Sequence, residues 1–265
     1  MAAGYERPDH WALRAKKEGY PARSVYKLEE IVRKFGLLKG MGGGRSQATR
    51  GASAAPGHGD GAVRADSAGG AGAGVGASAR ASIGTDGAGG AGVGTGRGSM
   101  GGGPTILDVG AAPGSWSLWL LRQLKERGTL VAVDIQDLGI APADPNFSFL
   151  KGSILDEPVR ARLRGRGPYD LVVSDAAPAT SGNRLVDQAR SEELVEAVMG
   201  LALEVLAPGG ALVMKIFQGG EEKRLISELR GHFAQARAFK PEACRAESFE
   251  TYLVASGFAR RGTEN

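Results

Sequence analysis

The 265-residue chain is 42% apolar, contains one cysteine and three histidines, and carries a formal net charge of +4. A single cysteine excludes an internal disulfide or a cysteine-based zinc site, and the histidines show no ligand spacing, so metal-independent chemistry is expected. No apolar run approaches the ~18 residues of a membrane span, and the first twenty residues mix both signs of charge, so neither a membrane segment nor a secretory signal is expected and the location is cytoplasmic.

The charge is uneven. Residues 1–41 hold nine Lys/Arg against five Asp/Glu, whereas 104–265 hold nineteen against twenty-one. A positive front suits a polyanion, although an excess of this size also fits an ordinary solvated surface. Within it, 22–38 predicts an amphipathic helix, with Val25, Leu28, Ile31, Val32 and Phe35 at three- and four-residue steps. Residues 42–103 then change character, with 23 glycines in 62 positions and only small, aperiodic apolar residues. Such a stretch cannot bury enough surface to offset its conformational entropy, which predicts a disordered Gly/Ala-rich insert. A glycine-rich RNA-binding segment is the alternative, but Arg45, Arg50, Arg64, Arg80 and Arg97 lack aromatic neighbours.

After the insert, β-rich runs at 105–109, 129–133, 147–150, 170–174 and 211–217 alternate with helical stretches near 115–126, 157–164, 188–206 and 221–233. Ala207-Pro208-Gly209-Gly210 ends the long helix. Two last apolar runs, 235–240 and 250–256, are close enough to form an antiparallel pair. This alternation predicts a doubly wound α/β sheet with helices on both faces, and ligands then bind at the carboxyl ends of the strands.

The first such end is the turn Asp108-Val109-Gly110-Ala111-Ala112-Pro113-Gly114-Ser115-Trp116. A dinucleotide site would use G-x-G-x-x-G to seat a pyrophosphate on the helix N-terminus. The spacing here is G-x-x-x-G with Pro113 inside, which disfavours NAD and suits a nucleoside without phosphates. Asp134 closes the second strand, where a carboxylate can accept from ribose hydroxyls, and Ser153 follows the third as either an adenine contact or a plain turn former. S-adenosylmethionine is the cofactor these features favour. Asp175 ends the fourth strand, and Lys215 interrupts an apolar fifth strand. A lysine there needs a carboxylate partner, either in a structural salt bridge with Asp175 or in a catalytic cluster.

These residues lie in a series that resembles the FtsJ-like (heat-shock) ribosomal RNA 2′-O-methyltransferases, of the large-subunit methyltransferase E type. The series runs from Ser24-Val25-Tyr26-Lys27 through D-x-G-A-A-P-G-x-W at 108–116, S-D-x-A-P…S-G at 174–182 and Val186-Asp187…Arg190. It continues with K-x-F-Q-G at 215–219 and Cys244-Arg245-Ala246…Ser248-Phe249-Glu250-Thr251-Tyr252-Leu253-Val254. The resemblance covers nearly all of 11–41 and 104–258. It implies a Rossmann-like fold with a mostly parallel seven-stranded sheet and an antiparallel final strand. With the composition, it divides the chain into an N-terminal RNA-contacting helical element of the catalytic domain (1–41), the disordered insert (42–103) where the family normally has a short connection, an S-adenosylmethionine-dependent methyltransferase domain (104–258) and a disordered tail (259–265).

The resemblance also implies a catalytic tetrad of Lys27, Asp175, Lys215 and Glu250, with Lys215 as the general base. Lys27 and Glu250 would position the ribose. Asp108, Gly110, Pro113, Gly114, Trp116, Asp134, Ser153 and Asp175 would hold S-adenosylmethionine. The implied substrate is a uridine 2′-hydroxyl of large-subunit rRNA in the assembled 50S particle, approached by a monomer. Arg14, Lys16, Lys17, Arg23, Arg33 and Lys34 surround Lys27 in sequence as phosphate contacts, and Trp11, Tyr20 and Tyr26 could stack on splayed bases or pack in the core. The rival readings are a tRNA or mRNA-cap 2′-O-methyltransferase and a non-catalytic ribosome assembly factor. Ser153, where the family often has Asp, and Ala179, where Asn is common, depart from the pattern.

Overall fold

The structure is a computed structural model that describes residues 9–39, 103–178, 182, 184–217, 221–245 and 248–259. The expected disordered insert (42–103) and tail (259–265) lie outside the described residues but for Gly103 and Ala259, as do Ala179, Gln218 and Gly219. In chain order the elements are α1 (His10–Glu18), α2 (Val25–Phe35), β1 (Thr105–Val109), α3 (Ser115–Leu124), β2 (Thr129–Asp134) and β3 (Phe147–Lys151). They continue with α4 (Glu157–Arg164), β4 (Tyr169–Ser174), α5 (Arg184–Val205), β5 (Leu206–Phe217), α6 (Glu222–Arg230), β6 (Phe233–Phe239) and β7 (Glu250–Phe258).

The seven strands form one sheet in the order β3-β2-β1-β4-β5-β7-β6. The first five are parallel, and β7 runs antiparallel between β5 and β6. The expected α/β sheet with an antiparallel final strand is therefore present, with that strand inserted rather than added at the edge. Strand order reverses between β1 and β4, the topological switch point at which open α/β sheets bind ligands.

Successive strand residues face opposite sides, and each side has its own core. Leu107, Val131, Val172, Leu212, Met214 and Leu253 pack with α4, α5 and α6. Ile106, Leu130, Leu171, Val173, Val213, Tyr252 and Val254 pack with α1, α2 and α3. On α2 the apolar steps read from the sequence bury Val25, Leu28, Ile31 and Val32, each contributing about 1.5–3 kcal/mol relative to exposure.

Two boundaries differ from the sequence reading. Within the expected helical element 1–41 the periodicity marks only 22–38 and not α1, which buries only Ala15 and so has no apolar stripe; its punctuation is the Asp9 cap, which accepts from the Ala12 N–H, and the left-handed Gly19. Helix α5 begins at Arg184 instead of 188, and the Ala207-Pro208-Gly209-Gly210 stop signal forms an irregular start of β5, where the register with β4 shifts.

Candidate active site

The two-residue period decides which strand-end side chains meet. Asp108 on β1, Asp134 on β2, Asp175 just after β4, Lys215 on β5, and Glu250 and Tyr252 on β7 share the parity of their strands' residues in the α1–α3 core. Because β7 is antiparallel, its first residue, Glu250, pairs with the last of β5, Phe217, and Tyr252 lies opposite Lys215. One face of the carboxyl edge thus collects four acids and a lysine, and α2 covers that face and adds Lys27 from above.

The tetrad resolves into two ion pairs. Lys27 Nζ lies 2.7 Å from Glu250 Oε2, and Lys215 Nζ lies 3.2 Å from Asp175 Oδ1 while donating to the Asp175 carbonyl. Both lysines are buried, at 7% and 9% exposure, so each depends on its carboxylate. Burial alone would raise the Glu250 carboxyl, but the Lys27 hydrogen bond and the charges of Lys27 and Lys215 hold it below its ordinary range. The sequence reading assigned no role to Tyr252. Its hydroxyl donates to Asp175 Oδ1 at 2.7 Å, and its ring centroid is 6.0 Å from Lys27 Nζ, so it bridges the two pairs. Burial, then the Asp175 charge, push the phenol well above its ordinary value, which keeps it a donor. The signal was available as the two-residue step from Glu250.

The cofactor turn is built by close approach. Gly110 has φ +72°, and a Cβ there would meet the Ala176 Cα at 2.6 Å. Ala176 fills the space, so this glycine seats the Asp175 loop against the turn instead of leaving a gap for a ligand. Gly114, with φ +109°, caps α3 and accepts from the Leu118 N–H, while Pro113 is exposed. Ser117 donates to Asp108 Oδ2 at 2.6 Å, and Asp108 Oδ1 is buried without a partner. Burial pushes this carboxyl up to about 7; the Ser117 hydroxyl opposes the rise, and the charges of Asp175 and Asp134 add to it. Asp134 accepts from the Ala112 and Gln136 N–H groups at 2.8 Å each, keeping lone pairs for a ligand. Three neighbouring acids with an orphaned oxygen among them fit a cationic nucleoside such as S-adenosylmethionine and oppose a phosphate-bearing one. The Ser153 hydroxyl accepts from the Leu155 N–H at 3.1 Å, as a turn former does.

Trp116 is fully used by the protein. Its indole N–H donates to the Ser24 carbonyl at 2.8 Å, and Ser115 Oγ accepts from the Ala22 N–H at 2.7 Å. The first turn of α3 therefore holds the segment that leads into α2 and sets the position of Lys27. Trp116→Phe should keep the ring but leave the Ser24 carbonyl unpaired, at a cost of about 1–3 kcal/mol. A melting temperature lowered by several degrees, with a larger relative loss of turnover than of donor affinity, is the expected result in paired calorimetric and transfer assays.

Of the six expected phosphate contacts, four are engaged internally. Arg14 pairs with Glu18 at 2.8 Å and lies 4.2 Å over the Tyr26 ring. Arg23 pairs with Asp9, Arg33 with Glu29 at 2.6 Å, and Lys34 lies 4.3 Å over the Phe239 ring. Lys16 and Lys17 are exposed in the last turn of α1. Exposed pairs of this kind contribute little and exchange readily for a phosphate. Tyr26 is in the core at 2% exposure, and the half-buried rings of Trp11 and Tyr20 pack against it. Among the described residues no group of three or more His, Cys, Asp or Glu could hold a metal ion, and no helix is long and apolar enough to cross a membrane.

A seven-stranded sheet with β7 inserted antiparallel, a phosphate-free nucleoside turn at its switch point and an acid at the end of β2 define a Rossmann-like methyltransferase. A family model described as FtsJ-like methyltransferase matches residues 97–258, and the chain belongs to this family. Its methyl donor is S-adenosylmethionine. Similar curated proteins include ribosomal RNA large subunit methyltransferase E of Treponema denticola, 37% identical over 96% of this chain and 96% of that one. The protein of the same name from Borreliella afzelii is 35% identical over 95% of this chain and 99% of its own. Among solved structures, a ribosomal RNA methyltransferase from Plasmodium falciparum superposes with a TM-score of 0.52 at 27% identity, covering 60% of this chain and 88% of that one.

Proposed function

We propose that this protein methylates the 2′-hydroxyl of a uridine ribose in large-subunit rRNA, acting on the assembled 50S particle. The observation that carries the reading is the pair of interlocked salt bridges, Lys27–Glu250 and Lys215–Asp175, set beside the acid-lined cofactor turn. The rRNA substrate is supported by the names of the two bacterial relatives, which match this chain over nearly its full length.

When bound, S-adenosylmethionine supplies a methyl group already activated on a sulfonium. Asp108 and Asp134 are the residues that would hold its positive and ribosyl parts. Bound there, the donor would supply its methyl carbon to the ribose 2′-oxygen, the electron pair of the broken C–S bond leaving with sulfur. Lys215, held by the Asp175 carboxylate and carbonyl, first releases its own proton to solvent and then, as the neutral amine, takes the hydroxyl proton. Lys27 and Glu250 align the ribose, and with an activated donor much of the rate comes from that alignment.

The test is transfer of labelled methyl to large-subunit particles from cells lacking the gene, followed by mapping of 2′-O-methyl positions. A single new 2′-O-methyluridine is expected; methylation of a base, or of tRNA alone, would overturn the reading. The Asp108 role has its own check. A folded pKa near 7 against about 3.8 unfolded means the native state binds more protons between those values. The stability of the donor-free protein therefore falls as pH rises from about 4 to 7, by an amount on the order of 2–4 kcal/mol. Asp108→Asn should flatten that slope in melts taken across this range, and should abolish a rise in donor affinity above pH 7.

A further inference from the structure

Glu250 is the first residue of β7, and its register partner Phe217 is the last of β5. The ladder of β7 with β6 reaches only to Tyr252, opposite Phe239. The sheet therefore fixes Glu250 from one side alone, at a strand end, where local opening costs least. Its carboxylate nevertheless sits 2.7 Å from Lys27, which arrives on a different element. The chain that enters β7 has to be held by something besides the ladder.

Every polar group of Ser248 is engaged at this point. Its N–H donates to the Arg245 carbonyl at 3.0 Å, its carbonyl accepts from Lys240 Nζ at 2.7 Å, and its Oγ accepts from the Glu250 N–H at 3.2 Å. Burial would raise the Glu250 carboxyl, and the Ser248 hydroxyl acts with Lys27 and Lys215 to hold it down, so the hydroxyl serves the side chain of Glu250 as well as its backbone. Lys240 directly follows β6, and its bond to the Ser248 carbonyl closes the neck of the β6–β7 loop. The same loop is tied to α2: the Glu242 N–H donates at 2.8 Å to Oε2 of Glu30, one helical turn beyond Lys27. The loop is thus fastened to both elements that form the Lys27–Glu250 pair.

We propose that Ser248 and Lys240 are positioning residues for methyl transfer: Lys240 fixes Ser248, and Ser248 holds the first residue of β7 so that the Glu250 carboxylate stays on Lys27. This rests on the reading of that pair as the groups that align the ribose. A misplacement of about 1 Å at such groups costs on the order of 10²-fold in rate, so hydrogen bonds made outside the site set the turnover within it. Neither residue needs to touch the ribose.

The experiment measures single-turnover methyl transfer to large-subunit particles from cells lacking the gene, together with calorimetric donor binding. The variants are S248A, S248T, K240M, K240R and K27M/E250A, the last alone and combined with S248A. S248A should lower the rate roughly ten- to hundredfold at saturating donor and particles. Donor affinity should be unchanged, because the acids that would hold the donor lie on β1 and β2. S248T keeps the hydroxyl and should recover most of the loss. K240M should lose less than S248A, and K240R, which still donates to the carbonyl, should lose little. Because the effect passes through the ion pair, adding S248A to K27M/E250A should slow transfer no further, whereas independent effects would multiply. Undiminished transfer by S248A or by K27M/E250A, threonine no better than alanine, or a full S248A loss in the pair-free background overturns the proposal while leaving the methyltransferase reading intact. Undiminished transfer by K240M overturns the role of Lys240. Absence of transfer by the unsubstituted protein overturns both the proposal and that reading.

Discussion

Lys215→Ala should lower methyl transfer by roughly 10³- to 10⁴-fold while donor affinity stays within a few-fold. General-base assistance is worth about 10²–10⁴, and the same substitution removes the group that anchors the Asp175 loop, through its carbonyl and its carboxylate. Asp175 would keep the Tyr252 hydroxyl as a partner at 2.7 Å, so the carboxylate is not left bare and the fold should survive. Lys215→Arg separates the two roles of the lysine. A guanidinium retains the positive charge but does not give up its proton in proteins. If Lys215 acts as the base, the arginine variant is nearly as inactive as the alanine one; recovery of transfer above a tenth of the original rate would make the role electrostatic. The assay is single-turnover transfer with the donor saturating, so that binding does not enter the rate.

Asp175→Ala carries the largest expected effect on stability. It strands a buried ammonium and leaves the Tyr252 hydroxyl without its acceptor. Breaking a buried pair from one side costs about 3–5 kcal/mol, and for a domain of this size that lowers the melting temperature by roughly 6–20 °C. Removing both partners in Asp175→Ala/Lys215→Met should return most of the stability, because an apolar side chain takes the place of an unpaired charge, while activity stays abolished. A double variant as unstable as the single one would show that Asp175 supports the fold through the Tyr252 bond and not through Lys215. Tyr252→Phe distinguishes these outcomes directly, since it removes only the hydroxyl.

The chemistry of the cofactor turn was legible because it is local. Asp108, Gly110 and Gly114 lie within seven residues, and the spacing alone set them apart from a phosphate-binding loop. The reason for Gly110 was not legible, because the atom that excludes a side chain there belongs to Ala176, on another strand's loop. Lys215 could be read as needing a carboxylate, since a charge in an apolar strand has few alternatives. Lys27 could not: its partner Glu250 is 223 positions away, and nothing near either residue points to the other. The aromatic residues were the least legible. Trp11, Tyr20 and Tyr26 sit among basic residues in the sequence and look available, yet they pack on the core. Phe249, just ahead of the last apolar run, is exposed.

By itself the sequence determined the alternation of strands and helices, the phosphate-free nucleoside turn, and the need of Lys215 for a carboxylate, because periodicity, turn chemistry and the cost of a buried charge act over a few residues. Only the tertiary structure decided that the tetrad is two ion pairs bridged by Tyr252, that Trp116 anchors the segment carrying Lys27, and which aromatic rings face water. Those facts depend on the antiparallel register of β5 with β7 and on the docking of α2 over the sheet edge. Both are set by packing between segments distant in the chain, where a shift of one residue would turn every side chain to the other face.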